Sequence, residues 1–198
     1  MNALIKLIIK NKMALTGACL LVLLLLAGLA APWLAPHDPL HTNLNHRLQP
    51  PGGGYLLGTD HLGRCVFSRM LYGARVSLLA GLGASALALT AGFLVGLGSG
   101  MGRQWLEAPL RGILDVALAF PGLLLALVLA GTMGPSLFSL VVGIAGAVWP
   151  WWGRLIRGLA LNARQKEFVM GGRVAGVQGL RLVRRYILPQ IVPSILVA

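Results

Sequence analysis

The side chains able to do chemistry are few and badly placed for catalysis. Four histidines, His37, His41, His46 and His61, crowd one stretch between apolar runs, but no His-x3-His pair on a firm helix supplies the fixed spacing that a metal demands. They read as a solvated loop rather than a metal site. Cys19 lies inside an apolar run and Cys65 in the histidine-bearing loop, so a disulfide between them would drag loop backbone into an apolar phase. Glu107 and Asp115 are the only acids between that loop and Glu167. Neither a Ser/His/Asp set nor a buried carboxylate relay can be assembled from them. No Gly-Lys pair occurs, which removes the phosphate-cradling G-x-x-x-x-G-K-[ST] loop. The expectation is a chain that is not an enzyme and holds neither metal nor cofactor.

Charge supplies the other chemistry. The 198 residues carry 17 Lys and Arg against five Asp and Glu, a net +12, and a balance of that size suits nucleic acid, anionic lipid or an acidic protein. Its placement excludes nucleic acid as the partner, because the excess gathers at 154–188 beside apolar spans. There Arg154, Arg157, Arg164, Lys166, Arg173, Arg181, Arg184 and Arg185 face Glu167 alone, a net +7. Within it, 162–188 is too interspersed with charge to cross a membrane. The pattern predicts a helix over about 163–175, a break at Gly176 to Gly179 and a second helix over about 180–188, lying at a membrane surface. The small pair Gly171-Gly172 makes one patch that a partner could approach closely. Such a segment either docks a partner or holds anionic lipid.

The elements that must position these residues are membrane spans. Of the residues 57% are apolar and 11% charged, and the mean hydropathy is +0.78, which excludes a water-soluble globule. Met13 to Leu34 is uncharged, with nine leucines in 22 residues, enough helix for a hydrocarbon core of about 30 Å. That run is too long for the apolar region of a signal peptide. Val76 to Gly102 is also uncharged, and Val116 to Gly153 is 38 residues long with Gly134-Pro135 as a turn in its middle. Four complete spans follow, at about 13–34, 76–101, 112–133 and 136–156. Residues 187–198 begin another apolar helix reaching only about 18 Å, so a fifth span is expected to continue beyond Ala198. Lys6, Lys10 and Lys12 place the N-terminus in the cytoplasm, the loop 35–75 outside and the +7 segment back inside. Trp33, Trp105 and the Trp149, Trp151, Trp152 cluster read as interfacial anchors. Gly92, Gly96 and Gly100 recur every four residues, a seam for close helix packing, and Pro121 should kink the third span.

Two stretches resemble a known family. Met170-Gly171-Gly172, then Gly176, then Leu188-Pro189 match the spacing of the EAA loop of bacterial ABC importer permeases, in which E-A-A and three residues precede a glycine and Leu-Pro lies twelve and thirteen positions beyond it. Met170 stands where the acid is usual, and Glu167 lies one helical turn earlier. Leu57-Gly58-Thr59-Asp60-His61-Leu62-Gly63-Arg64, with Ser68 and Arg69 after it, is similar to the L-G-T-D-x-L-G-R-D-x-x-S-R signature of the dipeptide, oligopeptide and nickel permeases, with Cys65 in place of Asp. This resemblance implies an all-α polytopic protein with the ABC importer type I transmembrane fold and six spans. Residues 1–74 would form the first span and extracytoplasmic loop, and 75–198 an incomplete permease domain with a coupling loop at about 162–189. It implies a bacterial inner-membrane permease subunit that works by alternating access with a homologous permease, two ATPase subunits that use ATP and Mg, and an extracytoplasmic binding protein. The coupling residues would be Glu167, Met170, Gly171, Gly172, Gly176, Leu188 and Pro189. Arg164 to Val169 resembles nickel permeases, so nickel or a nickel chelate is the first expected cargo and peptides the second. A membrane scaffold or channel without an ATPase, and a secondary carrier, are the readings from other classes; the carrier would need buried mid-membrane acids that the spans lack.

Overall fold

The computed structural model describes residues 12–102 and 104–197. Lys6, Lys10 and Ala198, which enter the topology and length expectations, lie outside the described residues. The protein is all-α and polytopic. Isolated bridges join Gly52 to Tyr55 and Thr59 to Cys65, and no strand occurs among the described residues. The chain divides into two compact units, Met1–Gly81 and Leu82–Ala198.

In the first unit, α1 (Lys12–Leu29) is followed by the single turn α2 (Ala31–Leu34). A continuous helix over 13–34 is therefore corrected. Pro32 has no N–H to donate to the Gly28 carbonyl, and the backbone re-forms with Trp33 and Leu34 both donating to Ala30. Most α1 leucines are exposed in the isolated chain, as lipid-facing side chains must be. Gly28 is the exception: a Cβ there would lie 2.9 Å from Leu78 Cδ1. Helix α3 (Val66–Met101) has 36 residues, about 54 Å. It starts ten residues before the predicted span at 76, because Arg69 and Arg75 limit the apolar window without breaking the helix.

The second unit holds α4 (Gln104–Ala119), α5 (Gly122–Met133), α6 (Leu137–Arg164), α7 (Glu167–Val174), α8 (Gly179–Leu182), a π turn (Val183–Ile187) and α9 (Leu188–Val197). The predicted third span is not one kinked helix. Its halves α4 and α5 meet at 89°, because Pro121 is extended (φ −60°, ψ 115°) and lacks the N–H that would continue the ladder. Three helices are individually long and apolar enough to cross a membrane, and this bent pair brings the number to four at most among the described residues. Gly134 takes φ +77° at the predicted turn, and Ser136 with Ser139 caps α6 reciprocally, each hydroxyl accepting the other residue's N–H at 3.0 Å.

Helix α6 runs to Arg164, about 42 Å in 28 residues. The basic segment therefore does not open with a helix at 163; its first 11 residues extend the preceding span. Helices α3 and α6 touch backbone to backbone. A Cβ would lie 2.6 Å from Trp152 Cβ at Gly92, 2.5 Å from the Gly153 carbonyl oxygen at Gly96, and 2.9 Å from Ala160 Cβ at Gly100. Trp152, read above as an interfacial anchor, backs onto this seam. Ion pairs tie α4 to α6: Arg157 to Glu107 at 3.1 Å and Arg154 to Asp115 at 3.4 Å, with Arg111 to Asp115 at 3.5 Å within α4. Both acids of α4 are thus spent on arginines of the +7 segment.

Candidate functional site

The signature around Gly58 builds a compact loop at the start of α3. Asp60 is its hub, with only 11% of its side chain exposed. One carboxylate oxygen accepts the N–H groups of Leu62 (2.8 Å) and Arg64 (2.9 Å). The other accepts Arg64 Nε and Nη2, both at 2.8 Å, and Arg69 Nη1. Burial acts to raise the Asp60 pKa, but the Arg64 and Leu62 N–H groups and the Arg64 guanidinium outweigh it and hold the carboxyl far below the usual range. Because the folded pKa is depressed, its stabilising contribution is complete above the ordinary carboxylate pKa and is lost as pH falls far below it.

Around this hub, residues 43–49 fold back against 58–66. Thr59 Oγ1 accepts the Gln49 N–H at 2.9 Å and donates to the His46 carbonyl. Asn43 N–H donates to Leu62, and Leu48 N–H to Asp60, both at 3.1 Å. Gly58 and Gly63 take φ +72° and +70°, and a Cβ would lie 2.3 Å from the Gln49 carbonyl oxygen and 1.8 Å from that of Asn43. They are turn residues as well as motif residues. Buried Ser68 accepts the His37 N–H at 3.2 Å, whereas Leu57 is half-exposed. His37 stacks on Tyr55 at 4.7 Å and His46 lies 5.8 Å from the same ring. No group of three or more His, Cys, Asp or Glu with metal-site geometry occurs among the described residues.

The basic segment is a separate site. Lys166 is extended between α6 and α7 (ψ 142°), and Glu167 occupies the first turn of α7, where a carboxylate suits the helix dipole. Val169 and Gly172 face inward; Met170 (50% exposed), Gly171 and Val174 (90% exposed) face out. The glycine pair is therefore not one patch. A Cβ on Gly172 would lie 3.1 Å from Tyr186 Cζ, whereas one on Gly171 would meet nothing within 4 Å. Gly176 (φ +82°) ends α7, with the Val177 N–H reaching back to the Gly172 carbonyl at 2.9 Å, a Schellman closure. Gly179 (φ +60°) starts α8.

The second helix does not stop near 188. It passes through the π turn, where Leu188 N–H bonds the Val183 carbonyl five residues back, and continues as α9. Pro189 follows directly and has no N–H to give, so the shifted register falls where the ordinary ladder is already broken. Leu188 is half-buried against the core and Pro189 exposed. Sequence reasoning missed the residues that hold this assembly together. Val169, Leu182, Ile187 and Ile191 form one buried cluster with Ile156 and Ala163 of α6, flanked by Leu97 and Met101 of α3. The apolar pair Ile187 and Ile191, four residues apart, is the signal that would have found part of it.

Residues 88–198 match the family described as binding-protein-dependent transport system inner membrane component. The chain belongs to that family. Residues 5–51 of this inner-membrane transport component also match the N-terminal transmembrane domain of oligopeptide transport permease C. It is similar to the dipeptide transport system permease protein of Alkalihalophilus pseudofirmus (36% identical, 95% of this chain, 62% of the relative). It is likewise similar to the di/tripeptide transport system permease protein of Pseudomonas aeruginosa (37%, 94% and 64%) and the nickel transport system permease protein of Escherichia coli (35%, 90% and 64%). The chain spans about three-fifths of the length of such relatives.

Proposed function

We propose that this chain is a permease subunit of an ATP-driven importer in a bacterial inner membrane, carrying small peptides by alternating access. Its N-terminus and basic segment face the cytoplasm and its Asp60 loop faces outward. A homologous permease completes the path, two ATPase subunits consume ATP and Mg, and an extracytoplasmic binding protein delivers cargo. The observation that carries the reading is the two-sidedness of α7. Met170, Gly171 and Val174 are free for a partner, while Val169 and Gly172 are locked to α6, α8 and α9. Interiors are close-packed and transmit displacement, so force applied to α7 reaches α6 and, through the Gly92–Gly96–Gly100 seam, α3. The long loop's rigid Asp60 hub gives the binding protein a fixed surface.

Peptide cargo is favoured by the dipeptide and di/tripeptide relatives; nickel is the second reading, on the strength of the nickel permease relative. Reconstitution of the whole transporter in proteoliposomes tests both. Labelled dipeptide should accumulate only with ATP inside and binding protein outside, and dissipating the proton gradient should leave the rate unchanged. Accumulation of nickel but not dipeptide would transfer the assignment to the second reading. Entry of solute without ATP would favour a channel instead.

A further inference from the structure

With Glu107 and Asp115 committed to Arg154, Arg157 and Arg111, and Lys166 hydrogen-bonded to Gln190 at 3.2 Å, the arginines left without an ion-pair partner among the described residues include Arg164 and Arg173. Both line one groove of about 670 Å³ in the second unit. Its other wall is apolar and comes partly from α3, through Leu94 and Leu97, and partly from Leu182 and Val183. Leu94 is two-thirds exposed and stands seven residues, about 10 Å, inside the Met101 end of α3. The groove therefore runs from two guanidinium groups down onto an exposed apolar flank of a candidate membrane span.

From this we infer that the groove binds one anionic phospholipid, its phosphodiester held by Arg164 and Arg173 and the start of an acyl chain laid along Leu94 and Leu97. Guanidinium groups are suited to bidentate phosphate recognition, and a basic pocket beside spans at a membrane surface is where anionic headgroups collect. An acidic protein surface could satisfy the two charges, but it would leave the apolar wall on α3 uncovered, whereas a lipid covers both. Arg164 and Arg173 also border, together with Met170, a neighbouring depression, so the headgroup lies beside the outward face of α7 and the lipid acts as a stay between α3, the end of α6 and α7.

Native mass spectrometry of the chain released from nanodiscs of mixed phosphatidylglycerol and phosphatidylcholine tests this. One phosphatidylglycerol per chain should survive release, and phosphatidylcholine should not. Arg164→Gln with Arg173→Gln should reduce retention by about tenfold, since each basic residue at an anionic surface contributes on the order of one decade or less. Arg184→Gln with Arg185→Gln, an equal charge loss outside the groove, should reduce it by less than about threefold. Equal losses from the two pairs would mean a diffuse surface effect and overturn the site, as would equal retention of phosphatidylcholine. A photoactivatable phosphatidylglycerol provides a readout on the unmodified chain: its adducts should map to 94–101 and 164–183. Adducts spread over α1 and α5 alone, or retention abolished by inorganic phosphate, would also overturn it.

Discussion

Val169→Asp should release α7 from the rest of the chain. The side chain is fully buried among Ile156, Leu182, Ile187 and Ile191, with no ion-pair partner in that cluster. An unpaired carboxylate there forces either desolvation of a charge or opening of the cluster, a cost of several kcal/mol. Opening is the cheaper response, because α7 has only eight residues and helices that short do not persist without tertiary contacts. Trypsin cleavage after Lys166 and Arg173 should accelerate by about a hundredfold or more. Val174→Asp, on the outward face, should leave the cleavage rate within about a factor of two, as exposed substitutions change stability by no more than about 0.5 kcal/mol. Similar cleavage of both variants would show that α7 is not clamped by this core. Under the proposed coupling, uptake should fail in the first variant even where nucleotide hydrolysis continues, since the contact proposed to transmit force would be gone.

Gly63→Val should unfold the Asp60 loop. The residue combines φ +70° with a Cβ position 1.8 Å from the Asn43 carbonyl oxygen. A β-branched side chain there incurs both backbone strain and a clash with main chain that has no rotamer to yield, together about 3 kcal/mol or more. The fold-back of 43–49 is what must give. Amide protons of Asn43, Leu48, Thr59 and Val66, all bonded across the loop, should lose about two decades of exchange protection. Gly81→Ala, in α3 with open space around the Cβ, should leave those amides unchanged. Retained protection in Gly63→Val would mean that the turn is not what holds the loop.

The spans were legible because uncharged runs of the right length leave few alternatives, and the family motifs because their residue order is so particular. What stayed hidden depended on contacts between distant residues. Asp60, Arg64 and Arg69 stand out in the sequence, but nothing local says that Asn43 and Gln49 return to meet them, since that pairing closes a loop of some dozen residues. Pro121 announces a break without its angle, which the packing of α5 on α6 sets. Gly171 and Gly172 look interchangeable until Tyr186 arrives from the other side of the break and claims one of them. The π turn was out of reach for a similar reason: Pro189 removes a donor, but the register shift also requires Leu182 and Ile187, five residues apart, to turn into the same core.

The proposed docking of an ATPase on the outward face of α7 is best tested by a photoreactive amino acid placed at Met170, at Val174 and, for comparison, at Leu124 of α5, in cells producing the intact transporter. The first two positions should join the chain to a subunit that mass spectrometry identifies as a nucleotide-hydrolysing protein, with the yield changing when ATP is trapped. Leu124, 58% exposed on an apolar helix, should not. If Met170 and Val174 gave only lipid adducts while the transporter remained assembled and active, the coupling role of this segment would be contradicted.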